Sequence, residues 1–291
     1  MKNYLFLLPV FNDWKSLNLL LKKINEEIGE KSKYSHILII NDNSSEKINV
    51  ENNLVKNFKS FKVISLKKNL GSQRCIAVGL KYLQKENKDY IITILDSDGE
   101  DDPSKINEMI DMAINASDFI ITSNRTNRKE NFFFKLLYSL HKIVTFLLSA
   151  KWISFGNFSS FDSRNLKMIL KNNNPWLAYS SAIALNCRIK RLYAKRKQRY
   201  FGKSKVNFSS LALHSLRIIS VLYKRVLIFS FIYITTIIYL NYLDKSFIVF
   251  LFVFFFIIFN ILILTVRVLM NIKNLNFWDD YIKEIKQINN Y

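Results

Sequence analysis

Apolar residues in the first 125 positions come in short unbroken runs separated by longer amphipathic stretches. The runs at 4–10, 36–40, 61–66, 90–95 and 119–122 are Ile-, Leu-, Val- and Phe-rich and too short for helices, which predicts strands buried on both faces of a parallel sheet. Between them, Trp14, Leu17, Leu20, Leu21, Ile24 and Ile28 fall on one face of a helix that Asp13 can cap. A turn at Asn69-Leu70-Gly71-Ser72 leads into a second helix through Ala77, Leu80 and Leu83, and Ile106, Met109, Ile110 and Ala113 line a third. Strands alternating with helices predict an α/β fold with a doubly wound, mostly parallel sheet.

Beyond residue 130 the pattern changes. Residues 131–150 put Phe132, Phe133, Leu136, Leu137, Leu140, Ile143, Val144, Leu147 and Leu148 at helical spacing, broken by Lys135, His141 and Lys142. That fits a core helix or an amphipathic helix lying on a membrane interface. Residues 156–162 form a small polar and aromatic segment before a helix at 164–170, and Asn173-Asn174-Pro175 breaks the chain. Residues 226–243 and 246–266 carry no charge, and each is close to the roughly 20 residues of a spanning helix. Only Asp244-Lys245 separates them, so they predict a membrane hairpin, against the alternative of a buried soluble one. Residues 271–291 read as a partly helical tail. The expected division is a catalytic domain at 1–215, the hairpin at 216–270 and the tail.

The charge adds a partner class. The 291 residues hold 43 Lys and Arg against 23 Asp and Glu, a formal net charge of +20. Such an excess points to an anionic partner: nucleic acid, anionic lipid or a phosphorylated substrate. The densest basic run, from Arg188 to Lys205 with Tyr193, Tyr200 and Phe201 interleaved, fits a solvated strand pair, a nucleic-acid surface or attraction to lipid headgroups. The apolar hairpin that follows favours lipid and sets nucleic acid aside. Arg217, Lys224 and Arg225 before the hairpin and Arg267 and Lys273 after it place both termini in the cytoplasm by the positive-inside rule. The expected location is the cytoplasmic (inner) membrane, multi-pass. Cys75 and Cys187 imply no disulfide framework, three His argue against zinc, and residues 4–10 are too short for a signal peptide.

The candidate chemistry lies at strand carboxyl ends, where open α/β sheets bind ligands. Asn12-Asp13, Asn41-Asp42 and Asp96-Ser97-Asp98 each follow a predicted strand. After the fourth, the sequence Asp96-Ser97-Asp98-Gly99-Glu100-Asp101-Asp102-Pro103 crowds acids that repel one another unless a cation intervenes. Asp96, Asp98 and Glu100 offer hard oxygens suited to Mg²⁺ or Mn²⁺ shared with a phosphate. A solvated acidic turn is the bland alternative. An EF-hand is excluded, since Gly99 and Asn107 occupy the wrong loop positions.

These segments together resemble glycosyltransferase family 2, and within it the polyprenyl-phosphate glycosyltransferases related to dolichol-phosphate mannose synthase. Pro9-Val10-Phe11-Asn12-Asp13 resembles the opening Pro-Val-Tyr-Asn-Glu. Asn41-Asp42-Asn43-Ser44-Ser45 resembles Asp-Asp-Gly-Ser, and Asn69-Leu70-Gly71-Ser72-Gln73 the Asn-Xaa-Gly segment. Residues 96–101 resemble the Asp-Xaa-Asp-Xaa-Gln-Asp metal motif, and Arg199-Tyr200-Phe201-Gly202-Lys203-Ser204-Lys205 the Arg-Xaa-Xaa-Gly-Xaa-Ser-Lys stretch. The resemblance implies a GT-A nucleotide-sugar fold and a metal-dependent, inverting sugar transfer from a nucleotide-diphosphate sugar to a polyprenyl phosphate. Pro9, Phe11, Asp13, Asp42, Ser44, Gly71 and Asp96 would then surround the donor, and Asp96, Asp98 and Glu100 would hold Mg²⁺ or Mn²⁺. Arg199, Lys203, Ser204 and Lys205 would meet phosphate, with Asp96, Asp98, Asn157 and Arg199 forming the catalytic set. Asn157 departs from the family, which often carries Asp there as a base. A lipid monophosphate acceptor is already ionised at neutral pH and needs no base. A transferase extending a glycan on a sugar hydroxyl would need one. A non-catalytic membrane scaffold is the remaining alternative, and a homo-oligomer is left open by the sequence.

Overall fold

The buried runs pair in register because a strand apolar on both faces has to be covered on both. The computed structural model describes residues 2–126, 132–202, 208–241 and 247–288. In chain order it contains β1 (Asn3–Val10), α1 (Trp14–Ile28), β2 (Ser35–Asn41), α2 (Asn52–Val55), β3 (Ser60–Leu66), α3 (Ser72–Glu86), β4 (Tyr90–Ile94), α4 (Ile106–Asn115) and β5 (Phe119–Thr126). Then follow α5 (Phe132–Ser149), β6 (Phe155–Asp162), α6 (Leu166–Ile169), α7 (Tyr179–Asn186), β7 (Arg188–Lys195), α8 (Phe208–Val221), α9 (Tyr223–Leu240), α10 (Phe247–Leu269) and β8 (Ile282–Gln287). The chain divides into two compact units: residues 1–129, 154–205 and 273–291, and residues 130–153 and 206–272.

The first unit is built on one sheet in the order β7-β5-β6-β4-β1-β2-β3-β8. The pairs β4–β1, β1–β2, β2–β3 and β5–β7 are parallel, while β6 runs antiparallel to β4 and β5, and β8 antiparallel to β3. On one face, Leu17, Leu20, Leu21 and Ile24 of α1 pack with Phe6, Leu8, Ile37 and Ile39 of the sheet. All of them are at most 1% exposed. Burying each such side chain is worth roughly 1.5–3 kcal/mol, enough to outweigh the weak intrinsic preferences of so short a segment. The expected α/β sheet is therefore present.

Three stretches differ from expectation. Residues 156–162, expected only as a small polar and aromatic segment before a helix, lie in the interior strand β6. Its polar residues hid it, and their hydroxyls are satisfied inside the sheet: Thr93 Oγ1 and Ser160 Oγ are 2.8 Å apart, and Ser159 Oγ and Tyr179 Oη 2.7 Å. The expected tail instead adds β8 to the free edge of β3. The basic run supplies one edge strand, β7, mostly exposed with Ala194 buried, and not a strand pair.

The second unit consists of α5, α8, α9 and α10. Helices α9 (18 residues) and α10 (23 residues) rise about 27 and 35 Å, so among the described residues two helices are long and apolar enough to cross a membrane. Within the unit, Ser230 Oγ donates to Asn260 Oδ1 at 3.2 Å, joining α9 to α10. The carbonyls of Leu147 and Ser149 at the end of α5 accept from Tyr233 Oη and Arg225 Nη1, both at 2.6 Å. A cation at a helix carboxyl end complements its dipole. Leu136, Leu140, Ile143 and Leu147 of α5 remain exposed along one side.

A prediction concerns His36, at the end of the β-sheet remote from the candidate site. Its Nδ1 lies 2.6 Å from Ser60 Oγ, and its ring meets Tyr90 edge-on at 5.2 Å. Burial, then Lys59 and Lys88, lower its pKa from 6.5 to about 4, while Glu86 opposes them. Folding thus favours the neutral imidazole. The stability this provides is complete above pH 6.5 and declines as pH falls from 6.5 towards 4, where the unfolded chain takes up the proton first. In His36→Gln, denaturant midpoints measured between pH 7 and 4.5 should vary less with pH than in the wild type.

Candidate functional site

The topology brings five strand ends to one edge. Strands β1, β2 and β4 are parallel and finish together. Because β6 is antiparallel to both β4 and β5, and β7 parallel to β5, β6 begins and β7 ends at that same edge.

The loops after β1 and β2 are tied to each other. Asn12, at φ 49°, donates its N–H to Ser44 Oγ at 2.9 Å, and its Oδ1 accepts from Ser45 Oγ and the Glu46 N–H. Pro9 is buried within β1, opposite Ile40, and Phe11 stands 40% exposed beside the loop. Asp42 is 3% exposed, and its carboxylate accepts from the N–H groups of Leu70 (2.6 Å) and Gly71 (2.9 Å). It thereby fixes the turn in which Gly71 takes φ 85°. Burial raises its pKa, against the pull of those two N–H groups.

The acid loop after β4 is held by the segment that leaves β7. Tyr200 donates its N–H to the Asp98 carbonyl at 3.0 Å, and Lys197 its N–H to the Glu100 carbonyl at 2.9 Å. The side chains follow: Arg196 pairs with Glu100, and Lys197 with Asp102 at 3.3 Å. Arg199 bridges two loops, with Nη2 2.7 Å from Asp13 Oδ2 and Nη1 3.3 Å from Asp98 Oδ2. Asp13 therefore does not cap α1 with its side chain, as the sequence led one to expect. Its carboxylate faces the guanidinium. Gly99, at φ +84°, lies beneath Tyr200, where a Cβ would collide with the ring. Asp98 has its pKa raised, first by burial and then by Glu100 and Asp101, against the Glu100 N–H and Arg199.

Asn157 stands two residues along β6 from Ser159, which pairs with Ile94, so the antiparallel register carries it opposite Asp96. Its Nδ2 donates to Asp96 Oδ1 at 2.9 Å, and its Oδ1 accepts from Gln73 Nε2 at 2.9 Å. The expected residues thus fall into two clusters, Asp13–Arg199–Asp98 and Asp96–Asn157, with Asp42 and Gly71 in the neighbouring turn. Lys203, Ser204 and Lys205 lie outside the described residues.

The expected three-carboxylate metal set is not assembled. Among the described residues, no group of three or more His, Cys, Asp or Glu stands together to hold a metal ion, and Glu100 is drawn to Arg196. Asp96 and Asp98 remain suited in kind: both are hard oxygen donors, and Asp98 Oδ2 already faces a cation, the Arg199 guanidinium. Glu100, the third acid of the expected set, is paired with Arg196.

Residues 6–178, more than half of the chain, match the family model described as Glycosyl transferase family 2. The chain belongs to glycosyl transferase family 2. Its sheet has the GT-A fold of that family. Among curated proteins it is 27% identical over 135 residues to the uncharacterized glycosyltransferase YkcC of Bacillus subtilis, a match covering 45% of this chain and 40% of that relative. Among solved structures it resembles glucosyl-3-phosphoglycerate synthase from Mycobacterium tuberculosis, in complex with Mn²⁺, UDP-glucose and phosphoglyceric acid. That similarity has a TM-score of 0.53 at 11% identity and covers 77% of this chain and 80% of that one. It also resembles Staphylococcus aureus TarS 1–349 in complex with UDP-GlcNAc, with a TM-score of 0.47 at 16% identity, over 77% of this chain and 66% of that one.

Sequence reasoning missed Arg196, Lys197 and Tyr200 as partners of the acid loop, since nothing in a basic run says which cations turn inward. Replacing Arg199 tests the arrangement. Arg199→Ala removes one charged hydrogen-bonding side chain shared by two loops, a loss on the order of 2 kcal/mol in the closure of this segment. Trypsin cleavage at Lys197 should accelerate, and Arg199→Lys should restore protection only in part, because an ammonium is a point charge and not a planar fork.

Proposed function

We propose that the protein transfers one sugar, with inversion, from a nucleotide-diphosphate sugar to a polyprenyl phosphate at the cytoplasmic face of a membrane. The observation that carries this reading is the residue opposite Asp96. It is an amide whose N–H is given to that carboxylate, so position 157 supports acceptor chemistry that needs no base. A phosphate monoester, largely ionised at neutral pH, is such an acceptor. The two long apolar helices and the basic residues flanking them support a lipid-borne acceptor and cytoplasmic termini. The exposed apolar side of α5 suits the membrane interface.

In this mechanism the loops after β1 and β2, with Asp13, Asp42 and Ser44, receive the nucleoside. Asp96 and Asp98 would hold Mg²⁺ or Mn²⁺, which when bound neutralises charge on the departing diphosphate. Asn157 keeps the Asp96 carboxylate oriented towards the donor. Arg199, held between Asp13 and Asp98, presents a guanidinium that an incoming phosphate can engage through two parallel N–H bonds. The acceptor phosphate oxygen attacks the anomeric carbon in line as the bond to the diphosphate oxygen breaks, which inverts the centre. Lys203, Ser204 and Lys205 complete the phosphate-facing group in this proposal.

Membranes carrying the protein should convert one labelled nucleotide sugar of a panel into label extractable by organic solvent. Asp98→Asn should reduce that transfer at least 100-fold, as expected for loss of a principal charge-stabilising group, while leaving the protein folded and membrane-bound. Label that instead enters only a water-soluble glycan, or a lipid alcohol lacking phosphate, would favour the glycan-extending alternative. For topology, a cysteine placed at position 244 should react with a membrane-impermeant reagent outside intact cells. One placed at position 291 should not.

A further inference from the structure

We infer that Gln73 is a positioning residue of the donor site: acting through the amide of Asn157, it fixes a hydrogen-bond donor on Asp96. The inference rests on the proposed placing of Asp96 at the donor. It begins at a group whose polarity cannot be reversed, the backbone N–H of Tyr179 at the start of α7, which donates to Gln73 Oε1 at 2.7 Å. With that oxygen committed, Gln73 can offer only Nε2 to Asn157, at 2.9 Å. Asn157 must then turn Oδ1 to Gln73, which leaves Nδ2 for Asp96 Oδ1, at 2.9 Å. An ionised carboxylate accepts and never donates, so the far end of the relay demands the same orientation as the near end.

The surroundings hold each link still. Gln73 is the second residue of α3, and Tyr179 opens α7. Ser159 Oγ donates to the Asn157 carbonyl at 3.0 Å and lies 2.7 Å from Tyr179 Oη, so the backbone of residue 157 and the side chain of residue 179 share an anchor. The first N–H groups of a helix carry partial positive charge, and successive hydrogen bonds polarise one another, so the relay directs positive potential at Asp96. It also gives a physical reason for an amide at 157. A carboxylate in its place would set two acceptors at the 2.9 Å separation that Asn157 and Asp96 now keep. Gln73 and Asn157 therefore belong together as one device.

Gln73 also serves α7, whose N-cap residue Ala178 makes no side-chain cap bond, so the test has to separate the cap from the relay. Gln73→Glu does so. A carboxylate still accepts from the Tyr179 N–H, but it demands an N–H from Asn157, which must turn its amide and set Oδ1 against Asp96. The readout is binding of Mn²⁺ alone, titrated by electron paramagnetic resonance, with thermal unfolding recorded in parallel. Gln73→Glu should weaken Mn²⁺ binding roughly 10- to 100-fold, the range for a group that orients a metal-facing residue, at an unchanged unfolding temperature. In an Asn157→Ala background, Gln73→Met should add no more than about twofold, since the path to Asp96 is already cut. Wild-type Mn²⁺ affinity in Gln73→Glu, or effects of Gln73→Met and Asn157→Ala that multiply, would overturn the inference. If Gln73→Glu does not fold, the cycle with Gln73→Met decides. Asp96→Asn binding Mn²⁺ as the wild type does, or a wild type that binds none, would overturn the donor-site placing itself and the relay with it, a pattern distinct from failure of the relay alone.

Discussion

Crowding of negative charge at one edge of a buried sheet is the constraint from which the rest of the first unit follows. Parallel strands end together, and here the polar ends that follow them place Asp13, Asp42, Asp96, Asp98, Asp101 and Asp102 at a common border. Asp42 and Asp101 are each only 3% exposed. Two like charges 4 Å apart at an effective dielectric constant near 20 repel by about 4 kcal/mol, so such an edge cannot stand uncompensated. Compensation comes in two forms: fixed backbone N–H groups, as at Asp42, and cations delivered from elsewhere in the chain.

The direction of β7 decides which cations arrive. Two antiparallel steps, β4 to β6 and β6 to β5, restore the original direction, and β7 follows β5 in parallel. The basic run therefore leaves the sheet at the acidic edge, and Arg196, Lys197 and Arg199 meet Glu100, Asp102 and the Asp13–Asp98 pair within a few residues. Had β7 paired antiparallel, the same residues would have left at the far end. Part of the 43 Lys and Arg is thus taken up in internal neutralisation, and the formal charge of +20 is the excess beyond the 23 acids. In the second unit the balance differs: residues 206–272 contain Asp244 as their one acid, against Arg217, Lys224, Arg225, Lys245 and Arg267. Their cations have few carboxylates to answer.

What could be read in advance follows from how local each signal is. Strands β1 to β5 and helices α1, α3 and α4 announce themselves through period and turn chemistry, and the strand-end residues Asp13, Asp42, Asp96 and Asp98 were legible because a parallel sheet places its sites there. Strand β6 was not, because Gly156, Asn157, Ser159 and Ser160 suit a loop until Thr93 and Tyr179 supply partners from distant positions. Strand β8 was hidden for a related reason: a short, charged segment becomes a strand only because β3 offers a free edge. The role of Asp13 was misjudged because a capping residue and an ion-pair partner look alike in sequence, and the guanidinium that decides between them lies 186 residues away.

Arg199 illustrates how such a site can hold its carboxylates in balance and still admit ligands. A guanidinium shared by Asp13 and Asp98 offsets their charge without occupying the carboxylates irreversibly, since its side chain is 26% exposed and carried by a segment attached through few backbone bonds. Donor entry under the proposed function is then an exchange. The donor diphosphate arrives with a divalent ion that takes over Asp98, while Arg199 keeps its pairing with Asp13 and remains available to the acceptor phosphate. The net change in charge is small, so affinity for the donor reflects the difference between two well-paired states and not the full strength of either set of ion pairs. That also sets the requirement on Asp96. Lying outside the Arg199 bridge and held by the amide of Asn157, it keeps its orientation while its neighbours change partners, which gives the arriving donor one fixed carboxylate against which the rest of the site can rearrange.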